Sequence, residues 1–460
     1  EIGVRLVGSE MCIRDRKLPI TQKLDDLIRH HAISLHVPGH KNMTIGYLDA
    51  LSLKMDMTEI TGLDDLHHPE DTILESMNRV NKHPNYDAYY LVNGTTAGIL
   101  SVIQAFAHIK GRYLISRNVH KSVFNALDLT QQSADILPMY RSDKSYQYLA
   151  PLIDTKMLRH QKLAVVTYPN YYGECFDINQ CVKQFHDYNI PVLIDEAHGA
   201  HFNLKHFPKS ALESEADYVV QSYHKTLPTL TMGSVLFIHK NAPLKDEVIK
   251  YLGIFQTSSP SYLVMSSIEL AHQFYNSYDS SLFFEKRKQF IETLRQQHFE
   301  VIEVEDPLKL IVRANGHTGV EVQRYFEKNH IYIELADDYQ ILIVLPLWHF
   351  NDRYPFETLL HRIKTIQLPK KAKEKLEPVL LPLEKSVYVS KYINHAYWIN
   401  INKAQDKVLA QHIVPYPPGI PVFWKGEKVT KNMIKLMQYY LSHSVRVEGI
   451  KNDKILVKDE

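Results

Sequence analysis

Short apolar runs alternate with longer helical segments between about Tyr89 and Lys240. The runs are YYLV (89–92), YLIS (113–116), LAVVTY (163–168), PVLID (191–195), YVVQS (218–222) and SVLFI (234–238). Each is short, bounded by turn residues and apolar on both sides rather than alternating, a pattern typical of strands buried on both faces. Intervening segments such as 96–109 and 181–189 suit crossover helices. The sequence therefore predicts an α/β domain with a mostly parallel sheet covered by helices.

The pattern changes after Pro260. Two helical segments (261–278 and 283–297) precede the apolar runs KLIVRA (309–314), IYIEL (331–335) and ILIVLPL (341–347), with helical residues 321–329 between them. This order predicts a smaller α+β domain. The Lys-rich segment 368–378 is interpreted as a solvated linker. The Pro-dense run PYPPGIP (415–421) is interpreted as a rigid turn that opens a last small module.

The composition excludes several classes of protein. A chain of 460 residues is too long for one hydrophobic core and predicts two or three domains. The net charge of +1 argues against a nucleic-acid surface, and no stretch suits a membrane span. Three cysteines suit a reducing compartment, so we expect a cytoplasmic protein. Cys175 and Cys181 are interpreted as core thiols, with metal binding as the alternative.

The first sixteen residues, EIGVRLVGSEMCIRDR, resemble the translated read-through of a sequencing adaptor. They lack the apolar region of a signal peptide and are left out of the fold prediction as a non-native segment. The native start is expected to be lost or to lie near Lys17.

Three motifs lie where open sheets place ligands, at the carboxyl ends of strands. The first, NGTTAG (93–98), joins a strand to a helix. Gly94 allows close backbone approach, Thr95 and Thr96 offer hydroxyl groups, and the helix start offers free N–H groups to an anion. The alternative is an ordinary structural N-cap.

The second motif, DEAHGAH (195–201), closes the strand PVLI, and its Asp195 can neutralise a cation. A helix cap or a metal carboxylate is the alternative. A helicase of the DEAH type is excluded, because the chain has no G-x-x-x-x-G-K-[ST] sequence to bind a triphosphate.

The third motif, SYHKTL (222–227), places Lys225 where the next strand ends. A phosphate-binding turn, an aspartate and then a lysine are what pyridoxal-phosphate chemistry requires in this order. The lysine forms a Schiff base, and the aspartate keeps the pyridine nitrogen protonated.

With these motifs the chain resembles the Orn/Lys/Arg decarboxylase family of fold-type-I pyridoxal-phosphate enzymes. The resemblance rests on nine runs in the family's order: HVPGHK (36–41), TEITGLDDLHHPED (58–71), LVNGTTAG (91–98), RNVHKS (117–122), PNYYG (169–173), DEAHGAH (195–201), QSYHKTL (221–227), TSSPSY (257–262) and PYPPGIP (415–421). It spans the chain from about residue 17 to its end. Together with the patterns above, it predicts a non-native segment 1–16, an N-terminal segment 17–70, a large cofactor-binding α/β domain 71–282, a small α+β domain 283–367 and a decarboxylase-type C-terminal module 368–460.

The resemblance implies a role for each matching residue. Lys225 carries the cofactor, Asp195 pairs with the pyridinium nitrogen, and Ala197 and His120 pack on opposite ring faces. Gly94, Thr95, Thr96, Ser222 and His224 hold the phosphate, and His198 is a candidate for the ring hydroxyl. His120 is expected to help position the substrate carboxylate or move a proton. Reprotonation is assigned to Lys225 or His224. Taken alone, RNVHKS would predict only a core histidine at position 120.

The resemblance also implies partners. A homodimer is expected to have its active site at the interface, with Thr257 or Ser258 reaching the partner's cofactor. HVPGHK is predicted to form a loop near the active site. HHPED (67–71) is interpreted as a structural or site-lining loop rather than a metal site, so no metal is predicted.

The implied activity is decarboxylation of arginine, lysine or ornithine to an amine of polyamine metabolism. Glu334, Asp337 and Asp338 are candidates for binding the distal cation of the substrate, with exposed loop residues as the alternative. An aminotransferase or aldolase, and a non-catalytic protein that binds cofactor or a basic metabolite, are the alternative functions. Two departures from the family motivate the last one: Asn170 replaces a usual threonine, and KAQDKVLAQ (403–411) lacks a usual Gly-Arg pair.

Overall fold

The computed structural model describes residues 18–369, 371, 381–390, 393, 395–416, 421–442 and 445–459. The predicted non-native segment 1–16, most of the linker 368–378 and the middle of PYPPGIP lie outside these residues. Within the described part of the chain, no helix is both long enough and apolar enough to cross a bilayer.

The strands and helices are numbered in chain order. The strands are β1 (Ile33–Leu35), β2 (Tyr86–Leu91), β3 (Arg112–Ile115), β4 (Ala134–Ile136), β5 (Met139–Arg141), β6 (Tyr148–Pro151), β7 (Gln161–Thr167), β8 (Val192–Asp195), β9 (Tyr218–Gln221), β10 (Ser234–His239), β11 (Phe299–Glu303), β12 (Lys309–Ala314), β13 (Ile331–Ile333), β14 (Leu335–Ala336), β15 (Ile341–Val344), β16 (Ser386–Tyr388), β17 (Ala396–Asn400), β18 (Val414–Tyr416), β19 (Arg446–Glu448), β20 (Ile450–Lys451) and β21 (Lys454–Lys458). The helices are α1 (Pro19–Arg29), α2 (Thr72–Arg79), α3 (Thr95–Ala105), α4 (Lys121–Leu129), α5 (Ile178–His186), α6 (Tyr223–Thr226), α7 (Lys245–Phe255), α8 (Tyr262–Ser277), α9 (Ser281–Gln296), α10 (Gly319–Lys328), α11 (Phe356–Lys364) and α12 (Lys431–Ser442).

The large sheet confirms the predicted α/β fold. Its eight strands have the order β16-β4-β3-β7-β8-β9-β10-β2. The β4-β3-β7-β8-β9 pairs are parallel, and β10 is antiparallel to both of its neighbours. All six predicted strands of the large domain are in this sheet.

Burial on both faces explains why the strands are continuously apolar. Val219 and Val220 on β9 are both fully buried, yet they belong to different hydrophobic clusters. Successive side chains of a strand point to opposite faces, so each face packs against its own layer of helices. The apolar runs therefore reflect a sheet with no face open to water.

The smaller α+β region forms a four-stranded antiparallel sheet in the order β11-β12-β15-β14. Helices α9 and α10 flank it, as predicted. The N-terminal segment contributes β1, which pairs in parallel with β13. Part of the chain before residue 71 is thus joined to the smaller α+β region by strand pairing.

The C-terminal residues form a separate core and also reach back to the large domain. Strands β17, β21 and β20 form a sheet, and α12 buries Met433, Leu436 and Met437 in a cluster of its own. Strand β16 instead pairs with β4 at the edge of the large sheet. Sequence patterns missed both β4 and β16, because three-residue strands carry almost no periodic signal.

Candidate active site

A cavity of about 360 Å³ lies at the carboxyl edge of the large sheet. Because β2 and β9 are both antiparallel to β10, they run in the same direction, so the segments that follow them meet at one edge. The cavity is lined by Gly94, Thr95, Thr96, Asn118, His120, Thr167, Tyr171, Asp195, Ala197, His198, Ser222, His224, Lys225, Thr231 and Met232. The structure therefore brings together every predicted catalytic residue and ten of the twelve predicted cofactor residues, all except Thr257 and Ser258.

The start of α3 presents free backbone N–H groups to the cavity. Gly94 caps the helix with φ +75°, a conformation that side chains rarely adopt, and no side chain caps the helix. The Thr95 hydroxyl lies 3.2 Å from that of Ser222. Free N–H groups and two hydroxyls at a helix N-terminus suit a phosphate.

Lys225 lies on the short helix α6, directly after β9. Its Nζ is 3.1 Å from Nε2 of His198. Burial lowers the pKa of Lys225, while the negative charges of Asp195 and Glu334 act in the opposite direction. A lowered pKa increases the fraction of neutral, nucleophilic amine near neutral pH.

Asp195 ends β8 and is buried. Its Oδ1 accepts a hydrogen bond from the Ala197 backbone N–H at 3.2 Å. Burial raises the pKa of Asp195, and the nearby Lys225 ammonium lowers it. A buried carboxylate with few protein donors is suited to pairing with a cationic group of a ligand.

His120 is the N-cap of α4. The Ser122 backbone N–H donates to its Nδ1 at 3.3 Å, which leaves Nε2 as the protonated nitrogen of the neutral ring. Burial, with the positive charges of Lys225 and Lys121, lowers the pKa of His120 to about 4. His224 contacts the Gly233 carbonyl through Nδ1 at 3.2 Å, and burial lowers its pKa to about 4 as well. Both imidazoles are neutral at physiological pH.

The depressed pKa of His120 predicts acid sensitivity. The unfolded chain, with a histidine pKa of about 6.5, takes up the proton first, so this stability is complete above pH 6.5 and is lost as pH falls towards 4. The wild-type free energy of unfolding is expected to fall between pH 7.5 and 4.5. In His120→Asn, which retains a good N-cap, we expect this fall to be smaller by about 2 kcal/mol. Urea unfolding at the two pH values measures this difference. An acid-induced loss equal to that of the wild type would contradict the prediction.

The HVPGHK loop packs against the helix that carries Lys225. The Gly39 N–H donates to the His224 carbonyl at 2.8 Å. A Cβ at position 39 would lie 2.4 Å from the Leu227 carbonyl oxygen, so this contact requires glycine. Lys41 is buried, donates to the Val344 carbonyl at 2.9 Å, and burial lowers its pKa to about 7.

Sequence reasoning assigned no role to five residues that line the cavity: Asn118, Thr167, Tyr171, Thr231 and Met232. Asn118 and Tyr171 lie within the quoted motifs RNVHKS and PNYYG, which was the available signal. The Tyr171 ring centre is 4.5 Å from that of His198. Its hydroxyl donates to Oε1 of Glu334 at 2.5 Å.

The three acidic candidates occupy different surroundings. Glu334 is coupled to the cavity through Tyr171, and its Oε2 accepts from the Val37 N–H at 2.9 Å. Asp337 accepts from the Tyr172 hydroxyl at 2.6 Å and from the Tyr339 and Gln340 N–H groups, so it stabilises its own turn. Asp338 is buried and lines a neighbouring tyrosine-rich cavity of about 130 Å³, which also contains Asp337. Neither aspartate lines the cavity of Lys225.

Asn170 supports the PNYYG turn. Its Oδ1 accepts from the Tyr172 and Glu174 N–H groups at 3.0 and 2.9 Å, and its Nδ2 donates to the Tyr148 carbonyl at 3.0 Å. The side chain is buried and does not line the cavity of Lys225.

Thr257 and Ser258 are exposed and do not line the cavity of this chain. The Thr257 N–H donates to Asn93 Oδ1 at 3.1 Å, next to Gly94, and its carbonyl contacts His67 Nε2 at 2.9 Å. The HHPED loop therefore packs against the TSSPSY segment. Within the described ranges, no group of three or more His, Cys, Asp or Glu side chains is arranged to hold a metal ion.

Two buried polar atoms of the cavity residues fit a bound polar ligand. His198 Nδ1 and Asn118 Oδ1 have no hydrogen-bond partner among the described residues. Buried polar groups are normally paired, so such atoms indicate a missing partner. Together with the anion site, Asp195 and Lys225, they suit a pyridoxal-phosphate ring with its hydroxyl and phosphate.

The fold and cavity define a class of α/β protein in which a partly buried lysine and a buried aspartate line one pocket with an anion site. The Orn/Lys/Arg decarboxylase major domain matches residues 18–310, and the corresponding C-terminal domain matches residues 368–452. The chain belongs to the Orn/Lys/Arg decarboxylase family, which confirms the resemblance seen in the sequence.

Similar proteins agree with this assignment. The uncharacterized protein YaaO of Bacillus subtilis (strain 168) is 35% identical, over 95% of this chain and 98% of that protein. An arginine decarboxylase of the same strain is 28% identical, over 91% of this chain and 92% of its own length. The constitutive lysine decarboxylase of E. coli has a TM-score of 0.67 at 16% identity, covering 88% of this chain and 75% of that one, which shows a shared fold.

Proposed function

We propose that the protein decarboxylates a basic amino acid (arginine, lysine or ornithine) with pyridoxal phosphate as cofactor. The observation that carries the proposal is the single cavity in which Lys225, Asp195 and the free start of α3 converge. The family supplies the reaction class, because its members named among the relatives are arginine and lysine decarboxylases.

Each residue of the cavity has its own role in the proposed reaction. Lys225 provides the attachment point, the α3 N-terminus with Thr95 and Ser222 binds phosphate, and Asp195 holds a positive charge at the ring nitrogen. When bound, the cofactor supplies an electron sink for the bond to the departing carboxylate. The amine of Lys225 is positioned to hold a proton and return it to the substrate. His198 Nε2 lies 3.1 Å from this amine, close enough to exchange the proton with it.

The proposal is tested by incubating the protein and pyridoxal phosphate with each of the three amino acids. We expect carbon dioxide and the corresponding amine, without keto acid. Keto acid production would favour an aminotransferase. Bound cofactor without any turnover would favour a non-catalytic binding protein.

Glu334 is our candidate for binding the distal cation of the substrate, because it is the predicted carboxylate that contacts a residue of the cavity. Glu334→Gln keeps the shape but removes the charge. We expect KM to rise about ten- to a hundredfold, the value of one charge-assisted hydrogen bond, with little change in kcat. Steady-state kinetics measure this, with Asp338→Asn as the comparison. A larger rise in KM for Asp338→Asn would place the cation in the tyrosine-rich cavity instead.

We also propose that the active protein is a cytoplasmic homodimer. Several large apolar side chains of the N-terminal segment are exposed in the single chain, among them Ile20 (77%), Ile28 (72%), Leu53 (87%) and Ile60 (56%). Contiguous apolar surface often marks a protein–protein interface, and these side chains are our candidates for it. Light scattering coupled to size-exclusion chromatography tests the dimer, and a stable monomer with full activity would contradict it.

A further inference from the structure

A buried ion pair joins the C-terminal module to the loop that leads into His120. Arg117 follows β3 and donates from Nη2 to Oε1 of Glu427 at 3.1 Å, with only 3% and 11% of the two side chains exposed. Glu427 also accepts from the Ser386 hydroxyl at 2.9 Å and from the Trp424 N–H at 3.0 Å. Its carboxylate is therefore held in one position.

The same module holds helix α4. The Trp424 ring stacks on Phe124 with centres 4.3 Å apart and planes at 24°. At the far end of the helix, Lys425 Nζ is 2.7 Å from Asp128, which also accepts a hydrogen bond from the Tyr388 hydroxyl. The C-terminal module therefore contacts α4, the helix capped by His120, both in its middle and at its C-terminal end.

The loop between the ion pair and the helix carries two cavity residues. Asn118 is the next residue after Arg117, and His120 follows two positions later; both line the cavity of Lys225. Arg117, Trp424 and Glu427 do not line it. A change at Glu427 can therefore reach the cavity through this loop or, because the Trp424 N–H donates to Glu427, through Trp424 and α4.

We propose that Glu427 is a positioning residue for the active site, which through Arg117 fixes the loop that presents Asn118 and His120. Replacing a buried ion pair by apolar packing often leaves stability unchanged or raises it, so the role we assign to this pair is to fix one geometry. A group displaced by about 1 Å can cost up to about a hundredfold in activity, so such a device has functional value. The effect on catalysis rests on the proposed function, whereas the position of His120 is a property of the cofactor-free protein.

The test compares Glu427→Gln with Asp406→Asn. The first keeps the size of the side chain and removes its charge. The second breaks the Asp406–Lys428 pair of the same module, which has a similar distance of 3.1 Å but is 66% exposed on both sides. Circular dichroism and thermal unfolding establish that each variant is folded.

Two measurements on the cofactor-free protein report on the loop that contains Asn118 and His120. Hydrogen exchange of residues 116–129 is expected to become faster in Glu427→Gln, and the NMR titration of the His120 ring is expected to move from about 4 towards its ordinary pKa. Asp406→Asn is expected to match the wild type in both. We further expect Glu427→Gln to weaken pyridoxal-phosphate binding about tenfold or more.

A folded Glu427→Gln with wild-type exchange and wild-type His120 titration would overturn the proposal. If this variant does not fold, Glu427→Asp retains the charge and shortens the reach, and is expected to shift both measurements in the same direction by a smaller amount; no shift would overturn the proposal equally. A wild-type protein that binds no pyridoxal phosphate would refute the proposed function, while exchange and titration would still decide the role of Glu427.

Discussion

Replacing Lys225 by alanine is expected to abolish turnover, with a loss on the order of 10⁴-fold or more, as for other covalent attachment residues. Lys225 is the amine that faces the anion site, Asp195 and His198 in the same cavity. Its neighbours cannot replace it, because His120, His198 and His224 offer only neutral imidazoles. Steady-state assays with the preferred amino acid measure the loss.

The Lys225 variant should remain folded, which separates chemistry from stability. The wild-type lysine is partly buried, and this burial disfavours its charge. We therefore expect thermal unfolding of Lys225→Ala to occur at or above the wild-type temperature. The variant should also retain weak, non-covalent binding of the cofactor phosphate at α3. Activity within tenfold of the wild type would show that another amine carries the reaction.

Asp195→Asn is expected to lower kcat by about 10³-fold, because it removes the charge that holds a cation at the ring nitrogen. Burial of the carboxylate raises its pKa, so the neutral asparagine is not expected to destabilise the fold. Its amide can still accept the Ala197 N–H at Oδ1. Steady-state kinetics measure kcat, and a denaturant titration measures the free energy of unfolding of the same variant.

A matched control for Asp195→Asn is the adjacent Glu196→Gln. Glu196 is fully buried and accepts from the Ser210 hydroxyl at 2.7 Å and the Ala211 N–H at 2.7 Å, behind the cavity. We expect Glu196→Gln to lower the free energy of unfolding while leaving kcat largely unchanged. The opposite ranking of the two variants would contradict the role given to Asp195.

The central parts of the fold and cavity could be predicted because their signals are local. Asp195 ends an apolar run, Gly94 and Lys225 come within three residues after one, and strands that run in the same direction bring their carboxyl ends to one edge. The order of the motifs predicts His120 as a site residue. In the structure it is the N-cap of α4.

The remaining features depend on contacts between distant segments. Strand β16 joins β4 from about 250 residues further along the chain, and nothing in its three residues indicates the pairing. Tyr171 lines the cavity, and its hydroxyl donates to Glu334, which lies 163 residues further along the chain. The three acidic candidates looked equivalent in sequence, whereas backbone N–H donors make Asp337 a structural residue.

The most direct test of the account is the visible absorption spectrum of the wild-type protein after incubation with pyridoxal phosphate, before and after borohydride, with peptide mapping. We predict a yellow chromophore that borohydride fixes on the peptide containing Lys225. A folded protein that gains no chromophore, or one labelled at another lysine such as Lys41 or Lys309, would contradict the assignment of this cavity as the active site.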